Sequence, residues 1–153
     1  MSEAFKASDF PTLIGTDLEP SSWMEITQQR VNQFADATND QQFIHVDPEK
    51  AAKTPFGGPI AHGFLTLSLT VYLMNEKALR PEGLIMGINY GSDKVRFIQP
   101  VRVGSRIRAH QKILEATEKH PGQWLIKTAV TIEIEHVEKP AMFAETLLMY
   151  IIK

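Results

Sequence analysis

The chain has 153 residues, a formal net charge of −2, 43% hydrophobic and 22% charged residues, and no cysteine. That length buries roughly two-thirds of the surface of its unfolded chain around one core, so one domain over residues 1–153 is expected. Absence of cysteine excludes a disulfide framework, a thiolate metal site and a cysteine nucleophile, and the slight negative charge argues against a nucleic-acid partner.

Met1 to Pro11 carries no apolar stretch of signal-peptide length, so no export signal is read there and a cytoplasmic address is expected. Trp23 to Ile26 has the composition of a short strand. Thr27 is a plausible N-cap, and Val31, Phe34 and Ala35 at i, i+3 and i+4 predict a helix to about Thr38, with Asn39 and Asp40 as its exit. Asp47-Pro48 has the form of a second start, an N-cap followed by proline at the first helical position, for a short helix through Ala52. Pro55, Gly57, Gly58 and Pro59 then form a loop; without a following Lys and a strand-loop-helix context, it is not a phosphate loop.

From Gly63 to about Leu79, Phe64, Leu65, Leu67, Leu69, Val71, Tyr72, Leu73 and Met74 put apolar groups on every face of a helix, which predicts that it is buried all round. Polar residues interrupt the run from Pro59 to Met74, leaving it short of the roughly 20 apolar residues of a membrane span. Beyond Gly83 the period becomes two. Strands are predicted at Ile85–Ile98, Ser105–Glu115, Trp124–His136 and Met142–Ile152, with His120-Pro121-Gly122 as a hairpin turn. A mostly antiparallel sheet with one apolar helix to cover is an α+β arrangement, an antiparallel sheet wrapped around a central buried helix: the hot-dog fold. One helix leaves sheet edges open, so a homodimer or higher homo-oligomer is expected.

Asp40 and His45 stand five residues apart after a helix. On spacing alone a turn-forming Asp and a core histidine explain them better than catalysis does, and Asp36 and Asp47 are competing carboxylates with local explanations. The whole run Asn39-Asp-Gln-Gln-Phe-Ile-His-Val-Asp-Pro-Glu-Lys-Ala-Ala52, then Phe56-Gly-Gly-Pro-Ile-Ala-His-Gly-Phe64 and Asn89-Tyr-Gly-Ser-Asp-Lys-Val-Arg-Phe-Ile-Gln-Pro-Val101, resembles the MaoC-like (R)-specific enoyl-CoA hydratase/dehydratase family and, within it, the nodulation-protein-N-like subgroup. The resemblance implies (R)-specific hydration of trans-2-enoyl thioesters, or the reverse dehydration, with Asp40 and His45 as the acid/base pair and the Gly63 backbone N–H as oxyanion donor. Independently, Gly63 at the first turn of a helix has an N–H without a helical partner and no side chain to keep a carbonyl oxygen away. The sequence departs from the family signature at Asn39, Gln42 and Phe43, changes that reshape the pocket and bear on substrate preference rather than on reaction type.

Gln42, Phe43, Phe56 and Phe64 are the candidates to line the substrate pocket, with Gln42 able to donate to a water or to His45. His62 is a further candidate, with a structural hydrogen-bonding role favoured. Lys94, Arg96, Arg102, Arg106, Arg108 and Lys112 form an acid-free basic stretch. A solvated strand face explains most of it, while Arg96 and Arg102 are the better candidates to bind the phosphates of an acyl-CoA or acyl-carrier-protein thioester. The five histidines show no compact ligand spacing, so no metal is expected, and hydration requires no cofactor. Two alternatives stay open: a hot-dog thioesterase, for which the long helix offers only Glu76, and a non-catalytic acyl-binding protein.

Overall fold

The computed structural model describes residues 5–153; Met1 to Ala4, part of the stretch read for an export signal, lie outside the described residues. In chain order it contains a 3₁₀ helix (Ala7–Leu13), β1 (Met24–Glu25), α1 (Gln28–Thr38), α2 (Phe43–Val46), α3 (Pro48–Ala51), α4 (Gly63–Glu76), β2 (Leu84–Phe97), β3 (Arg106–His120), β4 (Gln123–Ile134) and β5 (Met142–Ile152). The strands make one sheet in the order β1-β3-β4-β5-β2, antiparallel at every pairing.

Local chemistry sets the boundaries. The Thr27 side chain accepts from Arg30 N at 3.1 Å, and Asn39 closes α1 in the left-handed region with φ 59°. Asp47 caps α3 by accepting from Lys50 N at 3.0 Å, ahead of Pro48. In the β3–β4 hairpin Pro121 presets the turn and Gly122 takes φ 75°; a Cβ there would stand 2.6 Å from the Ile152 carbonyl oxygen.

β4 alternates between its two faces along its whole length, and the buried side chains of its second half meet Leu65, Leu69 and Leu73 of α4. Val130, Ile132, Ile134, Met142, Ala144, Ile107 and Ala109 complete that core. Each large aliphatic group so enclosed contributes about 1.5–3 kcal/mol. A second cluster, centred on Phe10, Trp124 and Tyr150, closes one end, with the Phe10 ring stacked on Tyr150 at 5.7 Å.

Two expectations are corrected. α4 is not buried all round in the single chain: Phe64, Val71 and Tyr72 are 69%, 56% and 63% exposed, because the sheet covers only the face that carries Leu65, Leu69 and Leu73. β3 also runs on to His120 rather than ending near Glu115, since its ladder with β4 continues after the burial pattern lapses. β2 forms the outer edge of the sheet and is exposed over nearly all its length.

Candidate active site

The first turn of α4 and the segment after α1 converge. α2 is a single turn that aims His45 inward, where it is 6% exposed. Its Nδ1 stands 2.6 Å from the Ile60 carbonyl oxygen. A carbonyl only accepts, so Nδ1 carries the proton and Nε2 of the neutral ring is left with its lone pair. From the other side Gln28 of α1 donates Nε2–H to the His45 carbonyl at 2.8 Å. The imidazole is thus fixed through both ring and main chain.

Asp40 lies beside it, its side chain about half exposed. His62, 2% exposed, stacks on His45 with ring centroids 3.8 Å apart, and its Nε2 donates to the Asp40 main-chain carbonyl at 3.0 Å. Ligating atoms of Asp40, His45 and His62 all lie within 4.8 Å of one another. The histidines have no compact spacing along the sequence, and the fold brings two of them together with Asp40. Two of the four ring nitrogens are engaged by main-chain carbonyls, the arrangement of an orienting hydrogen-bond network.

His45 and Gly63 line one cavity of about 300 Å³, with Phe56, Ile60, Thr66 and Phe97 among its other walls. As first residue of α4, Gly63 presents an N–H that has no partner within the helix, at the positive end of the helix dipole. A Cβ at Gly63 would lie 3.1 Å from the Phe97 ring, so that ring and the backbone pack at the limit of contact.

The remaining candidates divide. Phe56 lines the cavity; Phe43, Phe64 and His62 do not. Phe43 is 43% exposed, and Phe64 sits edge-on to Phe97 at 6.0 Å. Gln42 reaches His45 through its main chain, its carbonyl accepting from His45 N at 3.0 Å, rather than through the expected side-chain bond. In the basic stretch, Arg106 pairs with Glu135, Arg108 with Glu133, Lys112 with Asp17 and Lys94 with Glu145. Arg96 and Arg102 pair with no carboxylate among the described residues; Arg102 donates to the Gly57 carbonyl at 2.9 Å, beside Phe56. Gln28, Ile60, Thr66 and Phe97 were not among the expected site residues, although Ile60 and Phe97 stand inside the motifs that carry the family resemblance; the contacts of Gln28 and Ile60 with His45 have no local signal.

Burial holds His45 below the usual histidine value, with the stacked His62 acting in the same direction, against the Ile60 hydrogen bond and Asp40. The folded chain therefore binds its proton less readily than the unfolded one. Stability contributed by this group is present above the unfolded value of about 6.5 and is lost as pH falls through the folded value. A base kept neutral this way predicts that the acidic limb of a kcat/KM–pH profile has its midpoint below about 6.5. A midpoint at or above that value in steady-state kinetics would overturn the downward shift, and loss of the acidic limb in the His45→Asn variant identifies the titrating group as His45.

A long helix held by an antiparallel five-stranded sheet, with its glycine N-terminus beside an Asp/His group, defines a hot-dog protein of the dehydratase type. Residues 9–139 match the model of the MaoC like domain, and the chain belongs to that family. It is 46% identical to nodulation protein N of Rhizobium meliloti over 90% of this chain and 86% of that protein. It is 44% identical to 3-hydroxyacyl-thioester dehydratase Z of Mycobacterium tuberculosis over 94% and 95% of the two chains. The solved (R)-hydratase from A. caviae superposes with a TM-score of 0.71 at 26% identity, covering 88% of this chain and 94% of that one. No helix among the described residues is long and apolar enough to cross a membrane.

Proposed function

We propose that this protein adds water to trans-2-enoyl thioesters, giving 3R-hydroxyacyl thioesters, and catalyses the reverse dehydration. The observation that carries this reading is the shared cavity: His45, its Nδ1 tied to Ile60, lines the same space as Gly63 at the helix terminus, and Asp40, outside the cavity wall, has a carboxylate oxygen within 4.8 Å of the His45 ring. The names of the dehydratase and hydratase relatives agree with it.

The thioester oxygen is held by Gly63 N–H, which polarises the conjugated double bond. Asp40 holds and orients a water. His45 Nε2 takes a proton from that water as its oxygen bonds to C3, and the π electrons move onto the thioester oxygen as an enolate. When the enolate collapses, the proton on His45 passes to C2 on the same face, so one water supplies both hydroxyl and proton. No electrons are exchanged with a third species, and no redox cofactor enters. Phe56 and Phe97 wall the reacting end, and Arg96 and Arg102 meet the phosphates of coenzyme A or of a phosphopantetheine-bearing carrier protein.

The hydrolase alternative is weakened by Glu76. It sits at the far end of α4 and its carboxylate is occupied, accepting from Ser22 N at 2.9 Å and Ser22 Oγ at 2.7 Å. Incubation with crotonyl-CoA tests the reaction. Loss of enoyl absorbance with formation of 3R-hydroxybutyryl-CoA is expected; release of free thiol without hydroxyacyl product would replace this reading by hydrolysis, and no turnover of any enoyl thioester by a non-catalytic one.

The working unit is a homodimer in this reading. Ile85, Met86, Ile88 and Tyr90 on β2 and Val71 and Tyr72 on α4 are all more than 45% exposed, and the unpaired edge of β2 runs beside them. A second copy covers both at once. Light scattering is expected to give twice the chain mass, and Ile88→Lys to shift it toward a monomer; a wild-type monomer at micromolar concentration overturns the assignment.

A further inference from the structure

A second and larger cavity, about 750 Å³, lies further along α4, between its C-terminal half and β2 to β5, and Val71, Tyr72, Ile85 and Met86, the exposed residues assigned above to the face a second copy covers, line its open side. The two cavities meet successive turns of the helix: Thr66 lines the smaller, Leu69 and Thr70 the larger. β2 borders both, Phe97 at one end and Leu84 to Gly87 at the other. Thr66 and Thr70 are one helical turn apart, so the two cavities lie in succession along α4 from Gly63.

The walls are not those of a simple alkyl pocket. Gln111, Thr128 and Thr146 line it, among Leu69, Ile113 and Ile126. Gln111 is 5% and Thr128 8% exposed. The Gln111 amide donates to the Met74 carbonyl at 3.2 Å, but that carbonyl also accepts from Lys77 N at 3.3 Å, so closing the helix end does not depend on Gln111. Its side-chain oxygen accepts no hydrogen bond among the described residues, although an amide can make four. Thr146 donates to the Thr128 main-chain carbonyl at 3.4 Å, and the Thr128 hydroxyl makes no hydrogen bond among the described residues. Packing a methylene chain here would bury an amide oxygen and a hydroxyl without partners, a cost a leucine and a valine would avoid. An acceptor oxygen asks for a donor, and a hydroxyl supplies one while also accepting.

We infer that this chamber receives the far end of an acyl chain that bears a hydroxyl group, and that Gln111 and Thr128 select it. Met74, at the level of Gln111, lies eleven residues beyond Gly63, roughly 16 Å along the helix axis, so the hydroxyl sits remote from the thioester on a medium or long chain. The inference rests on the enoyl-thioester reading above and specifies its substrate class.

The test uses pairs of trans-2-enoyl-CoA esters of equal length, with and without a terminal hydroxyl, across a series of lengths. At the matching length the hydroxylated ester is expected to have a kcat/KM roughly 5- to 30-fold higher, the worth of one or two buried hydrogen bonds. Gln111→Leu is expected to abolish the preference and Thr128→Val to reduce it, with thermal melting confirming that both fold. Equal kcat/KM within every pair, or an undiminished preference in both variants, overturns the inference while leaving the hydratase reading intact. If the wild type turns over no ester at all, the hydratase reading fails, and calorimetric binding of the paired 3-hydroxyacyl-CoA esters decides the chamber: tighter binding of the terminally hydroxylated ester supports it, and equal binding overturns it.

Discussion

Substituting His45 by asparagine is expected to lower kcat/KM for crotonyl-CoA by roughly two to four orders of magnitude while leaving the fold intact. The choice of asparagine matters. Its amide N–H falls near the position of imidazole Nδ1, so the bond to the Ile60 carbonyl survives and only the basic nitrogen is removed. His45→Ala would also strand that carbonyl and open a void in a buried place, mixing a folding defect with a chemical one. Asp40→Asn is the companion experiment. The side chain is about half exposed and His62 holds the main-chain oxygen of Asp40, so the substitution leaves that contact in place and removes the charge that orients water. Steady-state rates and melting temperatures should separate the two effects. Should the asparagine variant at position 45 retain a tenth of wild-type activity, His45 is not the base.

Sequence periodicity located the long elements because burial on one side imposes it. β5 spans Met142–Ile152 as expected, and the caps at Thr27 and Asp47 act through their side chains. What periodicity missed is short or lacks a burial contrast. α2 has four residues, too few for a 3.6-residue repeat to register, and the 3₁₀ helix at Ala7–Leu13 contains Pro11. The same limit governs the site. Asp40, His45 and Gly63 were legible through the extended motif, whereas Phe43 and Phe64 were expected in the pocket because they adjoin it in sequence. Helical geometry turns them away. Phe43 precedes His45 by two residues, about 200° around the turn, and Phe64 follows Gly63 by one, about 100°. Phe97 takes the place expected of Phe64, brought from the end of β2 by the pairing of that strand with Met142.

Gly63→Ala is expected to cost one to two orders of magnitude in kcat/KM, and the direction of its effect on stability identifies the reason. Alanine in the first turn of a helix ordinarily favours folding by up to about 1 kcal/mol relative to glycine. Here the added methyl meets the Phe97 ring at 3.1 Å, so the gain in helix propensity is offset by a contact that must relax. The ring can give way by turning toward Phe64, which is itself 69% exposed, and the melting temperature should change little. Activity cannot recover in that way, because the methyl stands beside the N–H that the thioester oxygen must approach. Phe97→Leu combined with Gly63→Ala separates the two consequences: the smaller side chain removes the clash, so any lost stability returns, while kcat/KM stays low. If the double variant instead hydrates crotonyl-CoA at the rate of Phe97→Leu alone, Gly63 is needed only to make room for the ring, and the oxyanion donor must be sought elsewhere.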